Sequence, residues 1–131
     1  MASLDDIIYT SDGQLCSTSA EGGQKAKCLE SEIEYSAPVW NPKGDSIVTE
    51  SRDLDGLHRL ALLRADGSLL RYVMNSGRFM KPVWSPDGAY IYALNDTPGA
   101  VLGRWDEDGH NFQAISVQGI PVSGVEGPFG Q

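Results

Sequence analysis

A chain of 131 residues that is 40% hydrophobic, with 15 glycines and 7 prolines, is one domain's worth of polypeptide cut into short elements by many turns. Its formal net charge of −8 and pI near 4.5 repel phosphate backbones, so no nucleic acid is expected as a partner. No run approaches the ~20 apolar residues of a membrane-spanning helix, so no membrane span is expected.

The charge is uneven. Residues 1–37 carry seven acids and two bases, residues 38–81 five acids and seven bases, and residues 82–131 six acids and one base. Only the middle third would welcome an anionic partner. The first residues, Met1-Ala2-Ser3-Leu4-Asp5-Asp6, have neither the basic nor the apolar part of a signal peptide, which points to the cytoplasm. A mature form that had lost its leader would look the same, and keeps the periplasm open.

The first predicted strand covers residues 6–10, Asp-Ile-Ile-Tyr-Thr. β-Branched and aromatic residues bounded by turn formers read as strand. Asp12-Gly13 turns the chain into a second strand over 14–20. Glu21-Gly22-Gly23 turns it again into a third over 25–30. Cys16 and Cys28 flank this second turn. On neighbouring strands they can face each other, but a register slip of one residue puts them on opposite faces, so a disulfide is left open.

Residues 36–45 read Ser-Ala-Pro-Val-Trp-Asn-Pro-Lys-Gly-Asp, and residues 80–89 read Met-Lys-Pro-Val-Trp-Ser-Pro-Asp-Gly-Ala. Trp40 and Trp84 are 44 residues apart, and Pro38/Pro82, Val39/Val83, Pro42/Pro86 and Gly44/Gly88 keep that step. A fixed period of this size signals a repeat architecture. Each phrase leads into an alternating run, 46–50 and 90–94. A glycine turn follows (Asp55-Gly56, Pro98-Gly99), then a run over 57–64 or 100–106. A hairpin turn (Ala65-Asp66-Gly67, Glu107-Asp108-Gly109) leads to a last run over 68–74 or 111–117. No segment keeps a helical period, so essentially no helix is expected. Each unit is thus four strands, and the chain enters at the second strand of a first unit. A degenerate copy of the phrase, Pro121-Val122 with Ser123 for Trp, stands near the C-terminus.

Pro-Val-Trp-Ser-Pro-Asp-Gly-x-x-Ile at 82–91, followed by an Asp-Gly hairpin, closely resembles the β-propeller repeat of TolB-like proteins. Residues 38–47 match it with Asn41 and Lys43 in the Ser and Asp places. Trp105-Asp106 sits where Trp-Asp repeat proteins carry their name dipeptide. The resemblance implies an all-β fold of three four-stranded antiparallel blades, half of a six-bladed propeller. Blade 1 takes residues 5–36 with a C-terminal strand at 120–126, blade 2 takes 37–80 and blade 3 takes 81–118. Trp40, Trp84, Val39, Val83, Ile47, Ile91, Val48 and Leu94 are then packing residues. Because three blades cannot close a ring, the expectation is a homodimer. Ile7, Ile8 and Tyr9 of one copy would meet Val122 and Val125 of the other. A cut-out of a longer propeller is the competing reading.

No Gly-x-Ser-x-Gly elbow, phosphate loop or dinucleotide fingerprint is present, and no catalytic residue or cofactor is assigned. Asp106-Glu107-Asp108-Gly109-His110-Asn111 reads as a solvated turn, since only Asp106 and Asp108 alternate where a calcium loop needs a longer series. No metal is expected. The loops that share one rim in the resembled architecture carry Tyr35, Arg52, Asp53, Arg78, Phe79, Lys81, Asn95 and Asp96, candidates for docking a protein or peptide. The expected function is a non-enzymatic protein-interaction module. The alternative is a small-ligand-binding or catalytic propeller with a channel site shared by two chains.

Overall fold

The computed structural model describes residues 4, 6–22, 25–95 and 101–115. Eleven strands occur among them, and no helix. They are β1 (Ile7–Ser11), β2 (Gln14–Thr18), β3 (Lys27–Cys28), β4 (Glu34–Trp40), β5 (Ser46–Arg52), β6 (His58–Arg64), β7 (Leu69–Tyr72), β8 (Phe79–Trp84), β9 (Tyr90–Asn95), β10 (Leu102–Asp106) and β11 (Gln113–Ile115). They form three antiparallel meanders in the orders β1-β2-β3, β4-β5-β6-β7 and β8-β9-β10-β11. The chain is therefore an all-β protein of three sheets, in agreement with a repeat at that coarse level.

The expectation of three four-stranded blades is corrected. Only the second and third sheets have four strands, the first has three, and none closes or curls on itself. The half-ring falls with it, as do the β-propeller, TolB-like and Trp-Asp-repeat descriptors and the six-bladed ring that homodimerisation was to close. The physical reason lies at the N-terminus. Among the described residues, no Pro-Val-Trp strand pairs with β1 as β4 pairs with β5 and β8 with β9. Residues 120–126, assigned to that place from the sequence, lie outside the described residues, as do Val122, Val125 and Asp96.

The second sheet lies between the other two, with β1 and β2 against β4 on one side and β8 against β4, β5 and β6 on the other. Both its faces are buried, which explains the unbroken apolar run Leu60-Ala61-Leu62-Leu63 in β6. Leu60 and Leu62 point into a cluster with Val48, Phe79, Trp84, Ile91 and Trp105, while Ala61 and Leu63 join Leu15, Tyr35 and Ile47 on the opposite face. Truncating such a Leu to Ala costs about 2–5 kcal/mol.

The repeated phrase has a local cause. Pro38 and Pro82 lie on edge strands, where a missing N–H breaks no ladder bond. The residue before each, Ala37 or Lys81, takes a left-handed φ of 51° or 52°, and β4 and β8 both break register there. These matching bulges are held from outside. The Thr49 hydroxyl donates to the Ser36 carbonyl at 2.7 Å, and the Lys81 N–H donates to Glu50 Oε2 at 3.1 Å. Trp84 Nε1 donates to the Val39 carbonyl at 3.0 Å, and buried Asn41 gives its Nδ2 to the Gly88 carbonyl at 3.1 Å. The two copies of the phrase are thus bonded to each other across the sheets.

The cysteine question is decided by register. Cys16 stands opposite Cys28 on β2 and β3, and the two form a disulfide.

Candidate functional site

Among the described residues, a group of potential ligand atoms lies on the turn between β10 and β11. Asp106 ends β10. Its N–H donates to the His110 carbonyl, the Gly109 N–H donates back to the Asp106 carbonyl, and Gly109 takes the positive φ of 79° that this tight turn requires. The same turn recurs after β6, where Arg64, Gly67 and Ser68 make the matching bonds. Arg64 stands there in place of Asp106 and, with Asp66, leaves that turn without net charge.

The Asp106 carboxylate organises the loop from inside. Oδ1 accepts the N–H groups of Asp108 at 3.1 Å and His110 at 2.9 Å, and Oδ2 accepts Asn111 Nδ2 at 2.7 Å. A carboxylate has about four lone-pair directions, so one remains for a further partner. Ligand atoms of Asp106, Asp108 and His110 lie within 4.8 Å of one another. Asp106 and His110 are half-buried and Asp108 is exposed, so the group opens to water.

Where the sequence led to no metal being expected, the structure brings together three side chains that could hold one. The signal was present in the sequence as Asp-x-Asp-x-His. It is missed when the two alternating carboxylates are weighed only against a calcium loop.

The second sheet steadies the turn from the side. Lys43 Nζ pairs with Glu107 Oε2 at 2.7 Å, and this bond holds the lysine above its ordinary range. Arg71 Nη1 donates to the Asp108 carbonyl at 3.2 Å and lies 3.9 Å from Asp108 Oδ1. Two cations thus balance part of the negative charge while leaving His110 and one side of each aspartate open.

The residues expected on a docking rim are divided by the structure. Tyr35 and Phe79 are buried at 6% and 7% exposure. Phe79 packs edge-on to Trp105 with ring centroids 4.9 Å apart, and burial pushes the Tyr35 phenol above its ordinary range. Asp53 shapes its own turn, accepting the N–H groups of Asp55 and Leu57 at 3.0 Å and pairing with Arg59 at 3.2 Å. Arg52, Arg78 and Lys81 are exposed, and Asn95 ends β9 half-buried. Arg78 and Phe79 share a small cleft with Glu50, His58 and Arg59. Sequence reasoning missed Leu54 and Leu57, exposed at 77% and 52% on the Asp53 turn.

No protein-family model matches the chain, and a search of curated proteins finds no significant relative.

Proposed function

We propose that the chain is a small-ligand-binding domain whose β10–β11 turn takes a divalent cation through Asp106, Asp108 and His110. The observation that carries this reading is the convergence of two carboxylates and an imidazole within 4.8 Å on an open turn. Mixed oxygen and imidazole ligation suits first-row ions such as Zn²⁺ or Mn²⁺ better than Ca²⁺, which prefers six to eight oxygens. Three ligands from one turn leave positions open to water or a ligand anion. Titration calorimetry with Zn²⁺ alone tests the reading. Saturable binding at one site is expected, weakened roughly tenfold or more by His110→Ala and by Asp108→Asn. Equal heats from the parent and both variants would defeat it.

A second reading rests on a different observation. Leu54 and Leu57 are large apolar side chains, both exposed on the Asp53 turn, which follows exposed Arg52 in the chain. An all-β domain of this build mediates protein contacts through its sheets and their connecting turns, and this turn is its apolar anchor. The paired substitution Leu54→Ser and Leu57→Ser leaves stability unchanged and removes the contact. An unaltered set of contacts by chemical cross-linking contradicts it.

A further inference from the structure

We infer that the cleft between β5, β6 and the start of β8 binds a small carboxylate with a hydrogen-bond donor on its α-carbon. Arg78 and His58 take the carboxylate, and Glu50 takes the donor. The cleft holds about 130 Å³, and Glu50, His58, Arg78, Phe79 and Met80 are among the residues that line it. A water in the liquid occupies about 30 Å³, so this space suits a group of a few heavy atoms rather than a whole cofactor. The cleft shares no residue with the Asp106 turn, so the inference stands apart from the metal reading.

Strand register sets the walls. Val48, Leu60 and Leu62 belong to the cluster that also holds Phe79 and Trp84 of β8. Alternation along β5 and β6 puts Glu50 and His58 on that same face. Arg78 comes from the turn ahead of β8, and that turn is fixed. The buried Ser76 hydroxyl accepts the Leu60 N–H at 3.0 Å, and the Phe79 N–H donates to the Ser76 carbonyl at 2.7 Å. Glu50 is fixed as well, since its Oε2 accepts the Lys81 N–H at 3.1 Å. Arg59 also borders the cleft, but its guanidinium is engaged on the opposite face. Its Cζ lies 3.6 Å over the Tyr72 ring, and Nη2 pairs with Asp53.

The polar groups left over define the ligand. Among the described residues, the side chains of Arg78 and His58 have no hydrogen-bond or ion-pair partner, and neither has Glu50 Oε1. A guanidinium fork matches the two oxygens of a carboxylate, and an imidazole N–H adds a further donor. Residues 38–81, with seven bases and five acids, are also the only third of this acidic chain that favours an anion. Glu50 narrows the choice. Its charge repels a dianion such as phosphate more than a monoanion, and its open oxygen accepts a hydroxyl or ammonium donor. Phe79 and Met80 supply an apolar wall for a short aliphatic group. An α-hydroxy or α-amino acid of about three or four carbons meets these demands within the volume.

Titrating the isotopically labelled full chain with lactate, propionate or phosphate at constant ionic strength, followed by amide NMR shifts, tests the assignment. Lactate should give saturable shifts at Glu50, Ser51, His58 and residues 78–80. Propionate, which lacks only the hydroxyl, should bind about tenfold more weakly or worse. Arg78→Ala and His58→Ala should each weaken lactate by about tenfold. Both side chains are exposed, so these variants should melt with the parent. Glu50→Gln keeps an acceptor for the Lys81 N–H and should narrow the gap between lactate and phosphate. No lactate shift in the cleft, equal affinity for lactate and propionate, or unaltered lactate binding by Arg78→Ala overturns the inference. So does phosphate binding more tightly than lactate to the parent. Lactate shifts confined to residues 106–111 overturn it too, and bear instead on the metal reading.

Discussion

Gly103→Ala probes how tightly the third sheet is packed. Gly103 is buried on β10 opposite Ala93, with an ordinary strand backbone, so no left-handed angle demands glycine there. What demands it is space. An added Cβ would lie 2.7 Å from Phe79 Cε1, 2.9 Å from Phe112 Cε1 and 2.9 Å from Trp105 Cη2. Real Cβ atoms do not approach carbon so closely. Phe79 and Trp105 are both buried and packed edge to face, so neither ring can withdraw freely, whereas half-buried Phe112 can give way. Overpacking of this kind costs about 1–3 kcal/mol. The alanine also restricts the unfolded chain, which offsets about 0.4–1 kcal/mol. The expected net loss is about 1–2 kcal/mol, a fall of roughly 3–8 °C in melting temperature for a domain of this size. Urea and thermal melts measure it. In a Phe79→Leu background, with the closest ring removed, the same substitution should cost less by about 0.5 kcal/mol or more. Gly103→Ala melting at or above the parent temperature would refute the packing argument.

Tyr35 predicts an alkaline effect. Burial is the main cause that raises its phenol above the unfolded value of 10.0, partly opposed by a hydrogen bond with Ser31. The native state therefore resists ionisation. This contribution is fully present below pH 10.0 and is lost as pH rises through the folded value, so Tyr35→Phe should flatten the alkaline limb of a stability–pH curve. Asp66 and Asp87 act at the other end. Hydrogen bonds from Ser68 and Ser85 are the first cause that lowers their carboxyls below 3.8. Their contribution is present above that value and is lost as pH falls through the lower folded ones, so Asp66→Asn should be less sensitive to acid than the parent in the same measurement. Reducing the disulfide, which spans 12 residues and has Cys28 exposed, should cost about 3 kcal/mol and lower the urea midpoint. Asn41→Ala removes a buried amide that bonds the Gly88 carbonyl and the Lys43 N–H. It should cost about 1–3 kcal/mol by calorimetry, with Asn41→Asp no better because a carboxylate cannot donate to Gly88.

Much of the second and third sheets was legible in the sequence, because the information is local. Strand alternation, Asp-Gly hairpins and the proline of an edge strand act within a few residues. The 44-residue step then showed which strands are equivalent. The packing role that the resemblance implied for Trp84, Ile47 and Ile91 agrees with their burial. The strand count of the first sheet, the face of Phe79 and the pairing of the two cysteines were not legible. Each depends on register or on a neighbouring sheet. Phe79 lies beside exposed Arg78 in the sequence, and only the arrival of Trp105 and Phe112 from β10 and the segment after it makes it core.

The same division holds for the candidate site. The sequence alone determined an acidic all-β repeat and placed Asp106, Asp108 and His110 on one turn. Only the tertiary structure decided that Asp106 folds this turn around its own carboxylate, leaving the three side chains within 4.8 Å. It alone brought Lys43 and Arg71 across from the second sheet to balance the charge. Among the described residues it also left Trp40 Nε1 without an acceptor, where Trp84 Nε1 has the Val39 carbonyl. Two tryptophans in the same sequence context differ because an indole N–H is satisfied by the neighbouring sheet, and no local rule says which sheet is short of a strand.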